Sequence, residues 1–372
     1  MPRGRIDPLD ARDKPPQSPA MKKLTDGLAA LQPKAEGKPA AMVQLAGLMR
    51  KGGQVEQAVA LCRRALALAP HDAELAAQGR ALLSGDVPNW HFTIVADAAR
   101  NAAYDAALRR AIKPGMRVLE IGTGTGILAM MAARAGAVEV VTCEMNPAIA
   151  DAARSIIENN GYGDVVRVFS GHSDKLSLAE LGGRADLLVS EIVSNNLLGE
   201  GVLPAHERAM RDLMKPGAQV IPARGRVRVA LAEDLRGETG RMRMVDGFDL
   251  SLFNDLRAPA RSHPVGSKRI ELRSEPGDLF DFDLGSERFC APAKAKTAVR
   301  AAGGRINGIA QWIALDMDED THYENRPMPG ATSCWAMMFH ALPAPMETTP
   351  GQAITIAGSH DRRSLTIWIE AP

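Results

Sequence analysis

The stretch RVLEIGTGTGILAMMAARAGAVEVVTCE, residues 117–144, decides the fold. "RVLEIG" reads as a short apolar strand, "ILAMMAARAG" as a helix closed by Gly136, and "VEVVTCE" as a second strand. Between the first strand and the helix stand Gly122, Gly124 and Gly126. Glycine lets the backbone turn sharply and approach a ligand, and the N-terminus of the helix that follows offers unpaired N–H groups. The spacing is G-x-G-x-G, not the G-x-G-x-x-G of a dinucleotide site. Glu144 ends the second strand 22 residues after Gly122, where an acid can accept hydrogen bonds from both hydroxyls of a ribose. The plainer reading of Glu144 is a solvated acid at a strand end.

Downstream the same alternation continues. "PAIADAARSIIENNG" is a helix closed by Gly161, while "VVRVFSG", "ADLLVSE" and "AQVIP" are strands, apolar nearly throughout. Such strands alternating with helices predict a parallel sheet covered on both faces, a doubly wound α/β domain over residues 87–222. Residues 223–372 carry short β-like runs separated by Gly, Pro and Asp, which predicts a β-barrel or sandwich. Upstream, residues 1–39 are rich in Pro, Lys and Asp and read as a flexible arm. In residues 40–86, Leu45, Ala46, Met49, Ala58, Cys62, Ala65 and Pro70 fall where a tetratricopeptide repeat has small and apolar residues. The segment resembles one such unit with an extra helix; an ordinary helical hairpin fits as well. A single repeat cannot bury its own face, so packing on a neighbouring domain or partner is expected.

Composition narrows the class. The 372 residues carry 45 basic and 44 acidic side chains, a formal charge of +1, so no nucleic-acid footprint is present in the totals. The cysteines, Cys62, Cys143, Cys290 and Cys334, are scattered, which argues against a disulfide framework or a metal site and suits a reducing compartment. There is no secretory h-region and no run of about 18 apolar residues, so a cytoplasmic protein without membrane contact is expected.

Three further stretches supply candidate site residues. "SEIVSNNLLGE", residues 190–200, places Glu191 and Glu200 around an uncharged middle. Their odd separation puts them on opposite faces of a helix or a strand, so they converge only if the segment folds back. Otherwise they are unrelated surface acids. "SGHSD" sets Ser173 and Asp174 in the loop after the third strand, within reach of an adenine. "WHFTIVADAARNAAYDAAL" spaces His91, Ile94, Asp97 and Arg100 by three, which reads as one helix whose stripe is a solvated face or a cover over the glycine loop. In the second case Arg100 suits a bidentate contact with a carboxylate.

The glycine loop resembles that of class I S-adenosylmethionine-dependent methyltransferases. With Glu144, the His91–Arg100 stretch, "SEIVSNNLLGE", "GFDLSLFND" (residues 247–255) and a tryptophan-bearing loop at Trp335, the chain from about Trp90 onward resembles the protein arginine methyltransferases. "EIVSNNLLGEGVLPAHERA" and "CWAMMFHALPAP" look most like the monomethylating branch. The resemblance implies a Rossmann-like domain followed by a β-barrel-like domain, S-adenosylmethionine as donor, protein or peptide arginine as acceptor, and a homodimer. It also implies Glu191 and Glu200 as the catalytic pair and Trp335 as a substrate contact. His91, Arg100, Gly122, Gly124, Gly126, Glu144, Ser173 and Asp174 fall to the cofactor. The family's barrel loop reads Thr-His-Trp where this chain has Ser333-Cys334-Trp335, so a polar contact beside the second glutamate is expected to be lost. The segment after "GFDLSLFND" is short and Pro-rich, so the arm that docks on a second subunit is expected to be reduced.

Arginine chemistry explains the need for paired carboxylates. Guanidinium is charged at any ordinary pH and its lone pairs are delocalised, so it is a poor nucleophile. Two carboxylates gripping it fix its plane and draw positive charge from one terminal nitrogen. The competing expectations are a methyltransferase acting on another nucleophile, favoured by the lost histidine, and a degenerate cofactor-binding scaffold that recruits partners through its helical unit.

Overall fold

The computed structural model describes residues 19–85, 87–237 and 242–370. It divides into two compact units, residues 1–87 and 88–372. The first holds α1 (Pro19–Ala35), α2 (Pro39–Lys51), α3 (Val55–Leu68) and α4 (Ala73–Ser84). Leu45, Ala46, Met49, Ala58, Cys62 and Ala65 are buried in this unit's own core, joined by Leu28 and Ala35 from α1 and Leu75 from α4. The expected arm is therefore corrected over part of its length. Pro19–Ala35 is helical because Leu28 and Ala35, set among Lys and Pro, have a face to pack on. Residues 1–18 of that arm lie outside the described residues.

The second unit opens with α5 (Trp90–Ile94) and α6 (Ala98–Ala111), followed by β1 (Arg117–Ile121), α7 (Ile127–Arg134), β2 (Glu139–Glu144) and α8 (Pro147–Asn159). Next come β3 (Val166–Ser170), α9 (Leu178–Leu181), β4 (Ala185–Ser190), α10 (Val202–Asp212) and β5 (Met214–Ile221). All five strands are parallel, in the order β3-β2-β1-β4-β5. The apolar strands are buried because helices cover both faces. The order reverses between β1 and β4, and ligands of open α/β sheets bind at that crevice, beyond the strands' C-terminal ends. The single helix expected over His91–Arg100 is corrected to two. The Asp97 side chain accepts from Arg100 N (2.9 Å) and caps a new helix, so the chain breaks at residues 95–97.

A cis Ile221–Pro222 bond leads into the β-rich half. Its strands are β6 (Arg224–Asp234), β7 (Met244–Val245), β8 (Phe248–Asp249), β9 (Ala260–His263), β10 (Ile270–Leu272) and β11 (Gly277–Asp283). They continue with β12 (Ala293–Arg300), β13 (Gly304–Asp316), β14 (His322–Glu324), β15 (Met337–Thr348), β16 (Ala353–His360) and β17 (Leu365–Ile369). A seven-stranded sheet runs β10-β6-β13-β15-β9, with β11 also on β6 and β14 on β13; β12-β16-β17 form a second sheet. The pairing is antiparallel and leaves two sheets around a common interior, which is the barrel-like half the sequence predicts. On β13, Ile309, Ile313 and Leu315 face the large core, and Ala310 and Trp312 face a separate cluster with Met337 and Phe339. That large core also contains Val193, Leu197 and Leu198, so the β-rich half packs against the loop that carries the paired acids.

Candidate active site

The glycine loop sits at the β1–β4 crevice. Gly122 has φ +94°, and a Cβ there would lie 2.8 Å from Ile192 Cγ2 and 3.0 Å from the Glu191 carbonyl oxygen, so this glycine makes room for the acid-bearing loop. Gly124 has φ +52° with open space where a Cβ would stand, and Gly126 is the left-handed N-cap of α7. Glu144 accepts from Gly124 N (3.1 Å) and Asn146 N (2.9 Å), which ties the end of β2 to the loop. Burial pushes its carboxyl up against those hydrogen bonds.

Ser190 ends β4, and the eleven-residue stretch then folds back on itself. Asn196 Oδ1 accepts from Leu198 N (3.0 Å) and Gly199 N (2.9 Å), Ser194 Oγ accepts from Gly199 N (2.8 Å), and Leu197 takes a left-handed φ of 73°. Side chains standing in for ladder partners make this a turn, not a helix or strand. Glu191 is thereby brought close enough to Glu200 to feel its charge. Burial raises Glu191 to about 8, opposed by Arg100 and reinforced by Glu200. Glu200 is exposed at the rim and is raised to about 7 by partial desolvation and by Glu144.

Arg100 is 2 % exposed, and its Nη2 donates to Glu191 Oε2 at 2.9 Å. Burial works against its charge, and the Glu191 carboxylate more than offsets it. Arg100 Nε has no partner among the described residues. The β-rich half holds the loop from the other side. Trp335 Nε1 donates to Val193 O (2.8 Å), Ala336 N to Asn195 Oδ1 (2.8 Å), and Gln311 Nε2 to Asn195 O (3.0 Å). Trp335 is 4 % exposed. The expected substrate contact is thus corrected to a buried pin, because its indole N–H is spent on the loop.

The remaining candidates divide. Ser173 is buried and Asp174 exposed in the turn after β3, whose Gly171 N donates to Glu144 O (2.7 Å). His91 stacks on Trp90 at 3.8 Å and lies apart from the hydrogen-bonded group. Sequence reasoning passed over three residues. Glu120 is 1 % exposed between β2 and β4, and burial pushes it up to about 8. The buried Tyr104 hydroxyl donates to Ser190 O (2.8 Å), immediately before Glu191. The Tyr323 hydroxyl donates to Asp97 Oδ2 (2.7 Å). Only Glu120 left a signal, an acid inside an apolar strand. At Ser333-Cys334-Trp335 the backbone makes a contact of its own, Cys334 N donating to Asp97 Oδ2 (2.9 Å).

Comparison with known proteins sets these contacts in a family. An arginine N(omega)-methyltransferase of Streptomyces achromogenes subsp. streptozoticus is 36 % identical over 307 residues, covering 81 % of this chain and 83 % of that protein. The chain belongs to the arginine methyltransferase family. Protein arginine N-methyltransferase 7 of Danio rerio is 30 % identical over 302 residues, 72 % of this chain and 44 % of that one; the chain spans under half of such longer relatives. The family model described as ribosomal protein L11 methyltransferase matches residues 106–219, the span that holds nearly all of the five-stranded parallel sheet. Among solved structures, the Trypanosoma brucei PRMT1 enzyme–prozyme complex aligns with a TM-score of 0.66 at 23 % identity over 76 % of this chain and 93 % of that one. Arabidopsis thaliana protein arginine methyltransferase 10 aligns at 0.61 and 19 % identity over 74 % and 89 %. These two likenesses speak for the fold.

The cradle fits the family's donor. Glu120 offers a buried carboxylate for an ammonium, Glu144 an acceptor for hydroxyls, Arg100 a guanidinium with a spare N–H for a carboxylate, and Gly124 an open approach. Among the described residues no group of His, Cys, Asp and Glu could hold a metal ion.

Proposed function

We propose that the protein transfers a methyl group from S-adenosylmethionine to a terminal nitrogen of an arginine guanidinium. The observation that carries this reading is the fold-back of residues 190–200, which sets Glu191 against Arg100 and the glycine loop and brings it within the charge of Glu200. Arg100 occupies one oxygen of Glu191, and an arginine guanidinium suits the carboxylate oxygens that remain. When bound, S-adenosylmethionine supplies an electrophilic methyl on a sulfonium; Arg100, Glu120, Glu144, Gly122, Gly124 and Gly126 would hold it, with Ser173 and Asp174 toward the adenine. The family resemblance assigns His91 on α5 to the donor as well.

The chain's own residues do the remaining work. Glu191, fixed by Arg100 Nη2, binds one edge of the guanidinium and orients its plane. Glu200 binds the other edge. Together they localise positive charge away from the attacking nitrogen, and orientation of this kind supplies on the order of 7–11 kcal/mol. Glu191 Oε2 is already engaged, whereas Glu200 reaches solvent, so Glu200 Oε takes the proton lost from nitrogen and passes it to water.

Protein or peptide arginine is the proposed acceptor, with monomethylarginine as product, on the likeness to the monomethylating branch. A second reading is free arginine. It is favoured by the Streptomyces relative, most of whose length this chain covers and whose name specifies arginine without protein. Incubation with labelled donor and either an Arg-rich peptide or free arginine, read by mass spectrometry, separates them. E191Q and E200Q should each lower transfer by at least about a hundred-fold while calorimetry still detects donor binding. Transfer surviving both substitutions would sink the two-carboxylate mechanism. The scattered free cysteines support a cytoplasmic setting.

A further inference from the structure

We propose that Tyr323 on β14 is a positioning residue for the carboxylate pair, acting through Asp97 and Arg100. Its hydroxyl lies 2.7 Å from Asp97 Oδ2 and 2.8 Å from Ser333 Oγ, and its ring meets Trp335 edge-on at 5.4 Å. The hydrogens on these contacts can be assigned from what each atom is able to give. Asp97 is held below the usual carboxylate range, because its hydrogen bonds outweigh the burial that would raise it, so it only accepts. Tyr323 must therefore donate to it. Ser333 Oγ already accepts from Trp335 N (3.0 Å), and its own proton is free to go to Tyr323 Oη. The result is a directed chain, Trp335 N–H to Ser333, Ser333 O–H to Tyr323, Tyr323 O–H to Asp97. In such a chain each donor strengthens the next.

Asp97 uses its two oxygens for different jobs. Oδ1 caps α6 through Arg100 N, and Oδ2 takes Tyr323 and Cys334 N from the β-rich half. The helix turn that aims the Arg100 guanidinium at Glu191 is thus fixed by a β14 hydroxyl. The circuit closes on the far side, where Trp335 Nε1 holds Val193, two residues beyond Glu191. Glu191 is therefore located from both directions by one loop, residues 333–335. Cys334 contributes its backbone to this circuit, and the tyrosine supplies the side-chain donor.

The inference rests on the proposed reading of Glu191, and its test separates the two. The groups facing Glu191 are Arg100 and Tyr104 from α6, Glu120 from β1, Glu200 from its own loop and Cys334 from the β-rich half. Arg100 alone among them lowers its pKa. Y323F removes the hydroxyl and keeps the ring. It should lower kcat on the order of ten-fold, the worth of one hydrogen bond to a charged group, with donor Kd within about two-fold. The acidic limb of kcat/KM should move to higher pH by about half a unit or more, because a looser Arg100 favours protonated Glu191. S333A should shift both in the same direction by less. Wild-type kcat with an unmoved limb in Y323F, or a lower melting temperature alone, overturns the proposal. If the wild type leaves arginine unmodified, infrared titration of the Glu191 carboxyl, assigned by E191Q, reads the same shift without any acceptor. A shift in Y323F then supports the positioning role, and none overturns it.

Discussion

Glu120 lies on β1 among Val118, Leu119 and Ile121, and neither of its oxygens completes a hydrogen bond among the described residues. Burial pushes its carboxyl to about 8, with the Thr142 hydroxyl and the Arg100 charge opposing and Glu144 and Glu191 reinforcing. In an unfolded chain the same group titrates near about 4.5, so the folded state binds its proton more tightly. Stability is accordingly lost as pH rises from the unfolded to the folded value, and the loss is complete above about 8. E120Q removes that titration. Its melting temperature relative to wild type should climb between pH 5 and 8 by roughly 5 °C or more and then level off, as differential scanning fluorimetry would record. A gap independent of pH would mean that the acid is not buried uncompensated. Donor affinity should fall in the same variant, since the amide carries no charge for an ammonium. Stability given up at a donor site fits a residue kept for binding.

At the scale of elements, legibility followed locality. The β1–α7–β2 unit was readable because apolar runs, Gly126 and Gly136 mark its ends within one stretch of chain. The break between α5 and α6 was not, since three-residue spacing continues through residues 95–97 and only the Asp97 side chain reveals the cap. Helix α1 was hidden by composition, because few apolar residues suffice once other helices offer a face. The Tyr323–Asp97 bond joins residues 226 positions apart, and Trp335–Val193 spans 142, so no local pattern announces either. The glycine loop shows how an element meets the site. At Gly122 a side chain would strike Ile192 and the Glu191 carbonyl, whereas at Gly124 it would enter open space. G122A should therefore cost about 1–3 kcal/mol in denaturant unfolding and also impair transfer. G124A should cost nearer 1 kcal/mol yet lose donor binding by calorimetry. Equal unfolding costs in the two variants would contradict this division.

At the scale of the whole molecule, residues 244–256 present an apolar face to solvent. Met244, Phe248, Leu252, Phe253 and Leu256 are exposed, Leu252 by 81 % and Leu256 by 77 %, around the short β7–β8 hairpin. Asn254 organises it, its side chain accepting from Met242 N (2.9 Å) and donating to Ser251 O (2.6 Å). A structured surface that apolar is costly to leave in water, at roughly 25 cal/mol per Å². The sequence expectation of a reduced arm concerns the Pro-rich residues that follow; the apolar tip itself is present. The homodimer that the family resemblance implies would cover it with a second copy of the chain. Exposed phenylalanines and leucines held on a hairpin, with only acidic residues (Asp246, Asp249 and Asp255) between them, suit an apolar partner face better than a polyanion or an anionic lipid headgroup. L252D with F253D places two carboxylates in that contact, and the cost of desolvating them should exceed what the remaining side chains contribute. Light scattering after size exclusion should give a dimer for the wild type and a monomer for the double variant. The melting temperature of the double variant should then cease to rise with protein concentration, because mass action stabilises only what associates. A wild type that is monomeric at tens of micromolar, or a double variant that remains dimeric, would remove the segment from the interface.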